Sequence, residues 1–356
     1  MIETIKKFTG IATSVIPLSI LKNLLGYRLI IPVYHLVTDM LPVHIKHLYQ
    51  PRRINTFRKD MEFFTHHFDI LYPDRLLEYC CNRSIEIQNG FLPTFDDGLR
   101  EIYEIAAPYL YHMGIPAIFF INNDFVNNKD MFFRFKASLL TEKVLTRLSH
   151  ATMDKLAESL GLTKRNTGRI KARILSISYQ ERDLLDKAAE VLEVDFNEYL
   201  TFHKPYMDDE QIKDLQDKGF IIGAHGKDHQ LLSALSEDEI ILQIRESVND
   251  IFSKYTSLNR FFAFPFTDHG IPGKVLKVLH DQNFPLVDAS FGTAGLKQDI
   301  VPNHIQRIPM EKSNLSVSRI IKTEYVMCIL KKVAGRNLIL REDTDKVNSA
   351  KNITKS

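Results

Sequence analysis

Residues 91–103 read FLPTFDDGLREIY, an apolar run that stops abruptly on two adjacent carboxylates, Asp96 and Asp97, and a glycine. Taken alone the triplet reads as a turn, because Asp-Gly pairs favour turns and an aspartate caps the helix that residues 99–113 begin. Outward from this stretch the same unit recurs. Short apolar runs rich in β-branched and aromatic residues are strand candidates: LIIPVY before His35, FDILY near 70, GFLPTF before Asp96, AIFFIN at 117–122, GFIIGA before His225, FFAFPF at 261–266 and PLVDAS at 285–290. Amphipathic helical patterns fill most of the gaps, over 55–67, 99–113, 237–255 and 273–281. This alternation predicts an α/β fold with a parallel sheet, and so many units in one chain predict a (β/α) barrel. His35, Asp96, Asp97, Asn122, His225 and the 266–269 loop then fall at the C-terminal ends of strands, the face on which barrel enzymes assemble their sites.

The 356 residues are 44% hydrophobic and 25% charged, an ordinary balance for a globular protein with one substantial core and added elements. A net charge of only +2, with no long basic block in the body, does not suggest a nucleic-acid partner. Cys80, Cys81 and Cys328 are odd in number and two are adjacent, which suits neither a disulfide framework nor a CxxC metal site and points to a reducing compartment. At the N-terminus lysines precede an apolar stretch, but Lys22 and Asn23 interrupt it and no small-x-small cleavage site follows. Its runs are also shorter than the roughly 20 residues of a spanning helix. Ile11, Val15, Ile16, Leu18, Ile20, Leu21, Leu24 and Leu25 give a broad apolar face, kinked at Pro17, that suits peripheral membrane contact or packing against the body. The expected location is cytoplasmic, peripheral at the inner face of the membrane. The plan along the chain is an amphipathic segment (1–28), a barrel built from 29–126 and 208–312, a charged helical insertion (127–207), a C-terminal helical segment (313–341) and a disordered tail (342–356).

A second stretch, GFIIGAHGKDHQLLSALSEDEI, carries His225 and His229 four residues apart after a predicted strand. Helical or looped, such a spacing lets two imidazoles converge. With one carboxylate they form an N/O donor set suited to zinc or a similar divalent ion that leaves positions open for water. In isolation the pair reads more readily as two surface histidines. In combination, TFDDG after one strand, GAHGKDHQLLSAL after a later one and FFAFPF after another resemble the polysaccharide deacetylases of carbohydrate esterase family four. VYHLV at 33–37 and IQRIPM at 305–310 resemble that family's first and last strands, so the likeness spans about 29–310 around the insertion. It implies a distorted (β/α) barrel. Asp96 matches the family's catalytic base, Asp97 its carboxylate metal ligand, and His225 with His229 completes the metal triad. That division answers the question posed by the adjacent carboxylates, because a dication held by one relieves the repulsion between them.

The implied reaction is metal-dependent hydrolysis of an N-acetyl group on an amino-sugar glycan or its precursor, with Asp96 taking a proton from the attacking water. The family's Leu-x-His acid has no match; His304 lies nearby but offset, and reads as an exposed polar residue. The chain has no Trp, and AFPF stands where the family carries an arginine motif. Arg307 is expected to replace that arginine by pairing with Asp96, and His35 to line the site from the first strand. Asp268 and His269 read as a polar loop or a sugar contact, and Phe264, Phe266 and Phe291 as core or an apolar subsite. Alternative readings are a deformylase or deacetylase of a lipid-linked sugar at the cytoplasmic membrane, and a catalytically inactive glycan-binding homologue.

Overall fold

A computed structural model describes residues 16–26, 29–81, 87, 89–163, 166–255, 259–311 and 315–341. Ile11 and Val15 of the N-terminal apolar face, and the tail from 342, lie outside the described residues. Eight strands, β1 (Pro32–Tyr34), β2 (Thr94–Phe95), β3 (Ile118–Ile121), β4 (Ile221–Ala224), β5 (Phe261–Ala263), β6 (Ala289–Gly292), β7 (His304–Gln306) and β8 (Ile308–Pro309), form one sheet in the order β7-β6-β5-β4-β3-β2-β1-β8. Every pairing is parallel. The two edges of this sheet are consecutive in sequence, separated only by Arg307. Its amide donates to Gly292 O (3.0 Å), and the next amide, of Ile308, donates to Ile31 O (2.9 Å), so one extended segment passes from pairing with β6 to pairing with β1. The result is a nearly closed, distorted (β/α) barrel.

Alternation along the strands sorts the core into two layers. Ile118 and Phe120 belong with Phe261, Ala263, Phe291 and Ile305 in a cluster filling the lumen, while Phe119, Ile121, Ile222 and Phe262 join the larger core beneath the helices. Strands buried on both faces explain the continuous apolar runs. Gly223 is required in β4, since a Cβ there would lie 2.6 Å from the Phe120 ring. The same alternation carries His35, Asp96, Asn122, His225 and Arg307 to the lumen side at the barrel mouth.

Several strand expectations are corrected. GFLPTF is not one strand: Gly90–Phe91 pairs with Asp69–Ile70 in a two-stranded sheet and bridges to Ile30 ahead of β1, and only Thr94–Phe95 joins the main sheet, Pro93 between them having no amide to donate. FFAFPF ends as a strand at Ala263, ahead of Pro265, and PLVDAS forms its strand later, over Ala289–Gly292. Residues 99–113 contain a wide-turn segment (Ile102–Ala106) before the α-helix Ala107–His112. Pro17 does not kink a helix; the helix Leu18–Leu25 begins immediately after it, as suits a residue without a donor at a helix start. That helix buries Leu18, Leu21 and Leu25, packs beside Val317–Val333, and is pinned by Lys22 Nζ, which donates to Asn89 Oδ1 (2.7 Å). Among the described residues no helix is long and apolar enough to cross a membrane.

Between β3 and β4 the described residues make six α-helices: Phe133–Val144, His150–Ser159, Thr167–Ser176, Asp183–Leu192 and Phe196–His203 form an excursion, and Asp209–Asp217 leads back into β4. Entry and exit of this excursion are tied together. Asn128 exchanges two side-chain bonds with the Tyr206 backbone (2.9 and 3.1 Å), and Asn127 exchanges two with Asp209 (2.9 and 3.0 Å).

Candidate active site

The Asp96-Asp97 pair is separated by its backbone. The Asp96 amide extends the ladder by donating to Tyr34 O (2.9 Å), whereas Asp97 adopts a left-handed φ of 73° followed by Gly98 at 65°; both carboxylates still come near His225 Nε2, Asp96 Oδ2 at 3.8 Å and Asp97 Oδ1 at 3.5 Å. The exit strand of the insertion buttresses this turn, Met207 N donating to Gly98 O (3.0 Å). Asp96 receives a two-pronged pair from Arg307, at 2.7 and 2.8 Å, and Arg307 also reaches Thr94 Oγ1 (3.2 Å) and Gly292 O (3.3 Å). Burial alone would raise the Asp96 carboxyl, but the Arg307 guanidinium outweighs it and holds the group below its ordinary range. Asp96 is therefore ionised at neutral pH.

Asp97, His225 and His229 are all buried, and one ligand atom from each lies within 4.8 Å of the others. Asp97 Oδ1 stands 3.1 Å from His229 Nε2 and 3.5 Å from His225 Nε2. Even so, Asp97 Oδ1, His225 Nε2 and His229 Nδ1 have no hydrogen-bond partner, which is costly for buried polar atoms. The His225 ring is oriented from behind by Nδ1 against Ala263 O (2.9 Å), leaving Nε2 directed at the cluster. Asn122 donates to the carbonyl of His225 (2.6 Å) and so fixes the loop. Burial lowers the His229 pKa despite Asp97, and keeps this ring neutral; Asp97 itself is held well below the carboxylate range, burial being outweighed by the two histidines. An ionised carboxylate and imidazole nitrogens without partners fit a divalent cation.

His35 stands at the same mouth. Its Nδ1 lies 2.5 Å from Glu311 Oε2, while Glu311 Oε1 accepts from the backbone amides of His35 (2.6 Å) and Leu36 (2.7 Å). Burial opposes charge on this ring, yet Glu311 pushes its pKa up to about 10. Glu311 was not singled out in the sequence, although it follows β8 directly, where the rule that selected His35 also applies. Phe132, from the start of the insertion, was likewise missed: its ring is 4.5 Å from His229, and no motif marks it.

The remaining expected residues divide. Phe266, half exposed and left-handed (φ 58°), packs 4.6 Å from His229 and walls the site. Phe264 and Phe291 are core. His269 is exposed. His304 is not an exposed polar residue but is 1% exposed. It lies on the outer side of β7, where it meets Asp268 Oδ2 (3.0 Å) and Ser290 Oγ (2.7 Å), away from Asp97 and its histidines.

A polysaccharide deacetylase model matches residues 89–287, more than half of the chain. The chain therefore belongs to the polysaccharide deacetylase family, and is a hydrolase of non-peptide carbon–nitrogen bonds. Among solved structures it is similar to the Streptococcus pyogenes deacetylase PplD in complex with acetate, at 13% identity and a TM-score of 0.50 over 84% of this chain and 98% of that one. It is also similar to IcaB from Ammonifex degensii (14%, 0.49, 83% and 97%). A third is a de-N-acetylase from Aggregatibacter actinomycetemcomitans (12%, 0.47, 82% and 98%). No curated protein matches. At these identities the likeness speaks to the barrel alone.

Proposed function

We propose that the protein is a metal-dependent glycan de-N-acetylase in which Asp97, His225 and His229 hold the ion, Asp96 is the general base and His35 the general acid. The observation that carries this reading is the buried triad in which Asp97 Oδ1, His225 Nε2 and one ring nitrogen of His229 have no hydrogen-bond partner among the described residues. Two imidazoles and one carboxylate suit zinc. When bound, the ion would supply Lewis acidity toward water and the amide carbonyl. Asp96, ionised and fixed by Arg307, takes the proton of the attacking water. His35, kept protonated by Glu311, donates to the departing amine, which must leave neutral. Acetate release from N-acetylated amino-sugar oligomers, measured with metal-stripped and zinc-reloaded protein, tests the reading; activity indifferent to metal overturns it.

The protein is also proposed to work at the inner face of the membrane. Supporting this are Ile20 and Leu24, 49% and 64% exposed on Leu18–Leu25, beside Leu330 and Val333, 51% and 85% exposed on the neighbouring helix. Flotation with anionic vesicles checks it; a Leu24→Glu variant floating as well as wild type would contradict it.

A further inference from the structure

We infer that Tyr179, in the insertion, is a positioning residue for the metal centre: through its hydrogen bond to Asp228 it holds the loop that presents His229. The inference rests on the metal-dependent reading and extends it to a residue that the reaction itself leaves unused.

The two imidazoles of the triad are supported unequally. His225 extends β4, its amide donating to Ile121 O (2.9 Å), and its ring is oriented from behind by Ala263 O (2.9 Å). His229 has neither support. It lies four residues further on in a loop, its backbone is left-handed (φ 57°), and its Nδ1 has no hydrogen-bond partner among the described residues. A metal-binding histidine is ordinarily oriented by a bond to its second ring nitrogen. Here the ring rests instead between Phe132 (4.5 Å) and Phe266 (4.6 Å), the latter half exposed. A non-glycine residue at positive φ persists only where its surroundings hold it. The anchors of the loop therefore set where this ring stands.

Each residue between the two histidines carries such an anchor. Gly226 O accepts from Asn123 N (3.4 Å) and Asn122 Nδ2 (3.3 Å), and Lys227 O accepts from Asp124 N (3.0 Å). These bonds come from the segment directly after β3. At Asp228, next to the ligand, the anchor comes from the insertion: Oδ2 accepts from the Tyr179 hydroxyl, while Oδ1, buried, has no partner among the described residues. Tyr179 is itself firmly placed. It opens a single 3₁₀ turn, Tyr179–Glu181, whose capping residue Ser178 donates its amide (3.3 Å) and hydroxyl (3.0 Å) to Glu181, and Arg173 pairs with the same carboxylate (2.7 Å). Its ring stands edge-on to Phe133 at 5.9 Å and under the Arg182 guanidinium at 4.1 Å. The insertion thus grips His229 twice, by its ring through Phe132 and by its neighbour through Tyr179. Groups of this kind set metal affinity by holding a ligand in its binding geometry before the ion arrives.

The test compares Tyr179→Phe, Asp228→Ala, Asp228→Asn and the Tyr179→Phe/Asp228→Ala double variant in the full-length chain, with zinc as the probe. Zinc affinity is read by competition with a chromogenic chelator, ligand geometry by the visible spectrum of the cobalt-loaded protein, and folding by the thermal midpoint of the metal-free protein. Tyr179→Phe keeps the ring on Phe133 and Arg182 and removes only the bond. It should weaken zinc binding roughly 10-fold and shift the cobalt bands, with the metal-free midpoint within about 3 °C of wild type. At saturating zinc, KM should stay within about twofold of wild type. Asp228→Ala should lose as much affinity, and the double variant no more than either single, because all three break the same bond. Asp228→Asn still accepts from the phenol and should bind zinc within about threefold of wild type. Unchanged zinc affinity in Tyr179→Phe, additive losses in the double variant, Asp228→Asn falling as far as Asp228→Ala, or affinity lost only in step with the metal-free midpoint overturns the inference. A wild type that binds no zinc refutes the metal reading and this inference with it. Zinc binding that depends on Tyr179 without acetate release from any N-acetylated sugar would uphold the inference and refute the reaction.

Discussion

Two buried groups of aspartate and histidine face each other across the wall of this barrel, and they are alike in composition. Asp97, His225 and His229 sit on the lumen side; Asp268, Asp299 and His304 sit on the outer side, and in both groups the ligand atoms lie within 4.8 Å of one another. They differ in what already satisfies them. The outer group contains its own cation: Arg341 Nη2 bonds Asp268 and Asp299, the latter at 2.6 Å, with Gln306 Nε2 on Asp268 Oδ2 at 2.9 Å. The hydrogen bonds continue beyond it, His304 reaching Ser290 (2.7 Å), which reaches His280 (2.8 Å). The lumen group has no such cation among the described residues and keeps three unpartnered atoms. Proximity of metal-ligating residue types does not define a metal site; unmatched charge and unused donor atoms do.

The contrast can be broken at either end. The largest effect is expected at the lumen group, where His225→Ala should abolish metal retention and, with it, deacetylation, because a three-ligand site has no spare donor. Elemental analysis after gel filtration checks this. Asp96→Asn should keep the metal and fold yet lower kcat by about 10²- to 10⁴-fold, unrescued by added zinc; a variant that stays active would return the Asp-Asp-Gly to a simple turn. In the outer group, Arg341→Met leaves two buried carboxylates without their cation and should cost about 3–5 kcal/mol in denaturant unfolding, while bound metal stays at its wild-type level. The smallest effect is a shift in pH dependence. A general acid loses activity as pH rises through its pKa, so Glu311→Gln, which removes the group raising His35 to about 10, should move the alkaline limb of the kcat profile toward the ordinary 6.5. The same pair stabilises the fold fully below pH 6.5 and ceases to do so as pH rises toward 10, so the stability gap between wild type and variant should close over that window.

Much of the lumen site was legible because it obeys strand alternation. Once TFDDG, GAHGKDH and VYHLV were read as strand ends, Asp96, His225 and His35 were committed to one mouth. Arg307 was legible through the resemblance of IQRIPM to the family's last strand and the absence of an arginine in AFPF; that it sits in a seam between two short strands was not. Glu311 follows that seam and was passed over because it belongs to no motif. The insertion was opaque for a physical reason: Phe132 and Tyr179 reach the His229 loop through packing between distant segments, which has no period. The outer group was misread outright. His304 alternates away from the lumen to meet Asp268 and Ser290, and the cation that Asp268 and Asp299 share with it comes from Arg341, just after the C-terminal strand Leu338–Ile339.

The central claim is that the lumen group, and not its outer counterpart, holds the ion. Metal content per chain, measured side by side on wild type, His225→Ala and His304→Ala after zinc loading and dialysis, tests it most directly. The account predicts one equivalent in wild type, one in His304→Ala and none in His225→Ala. An equivalent retained in His225→Ala and lost in His304→Ala would contradict it.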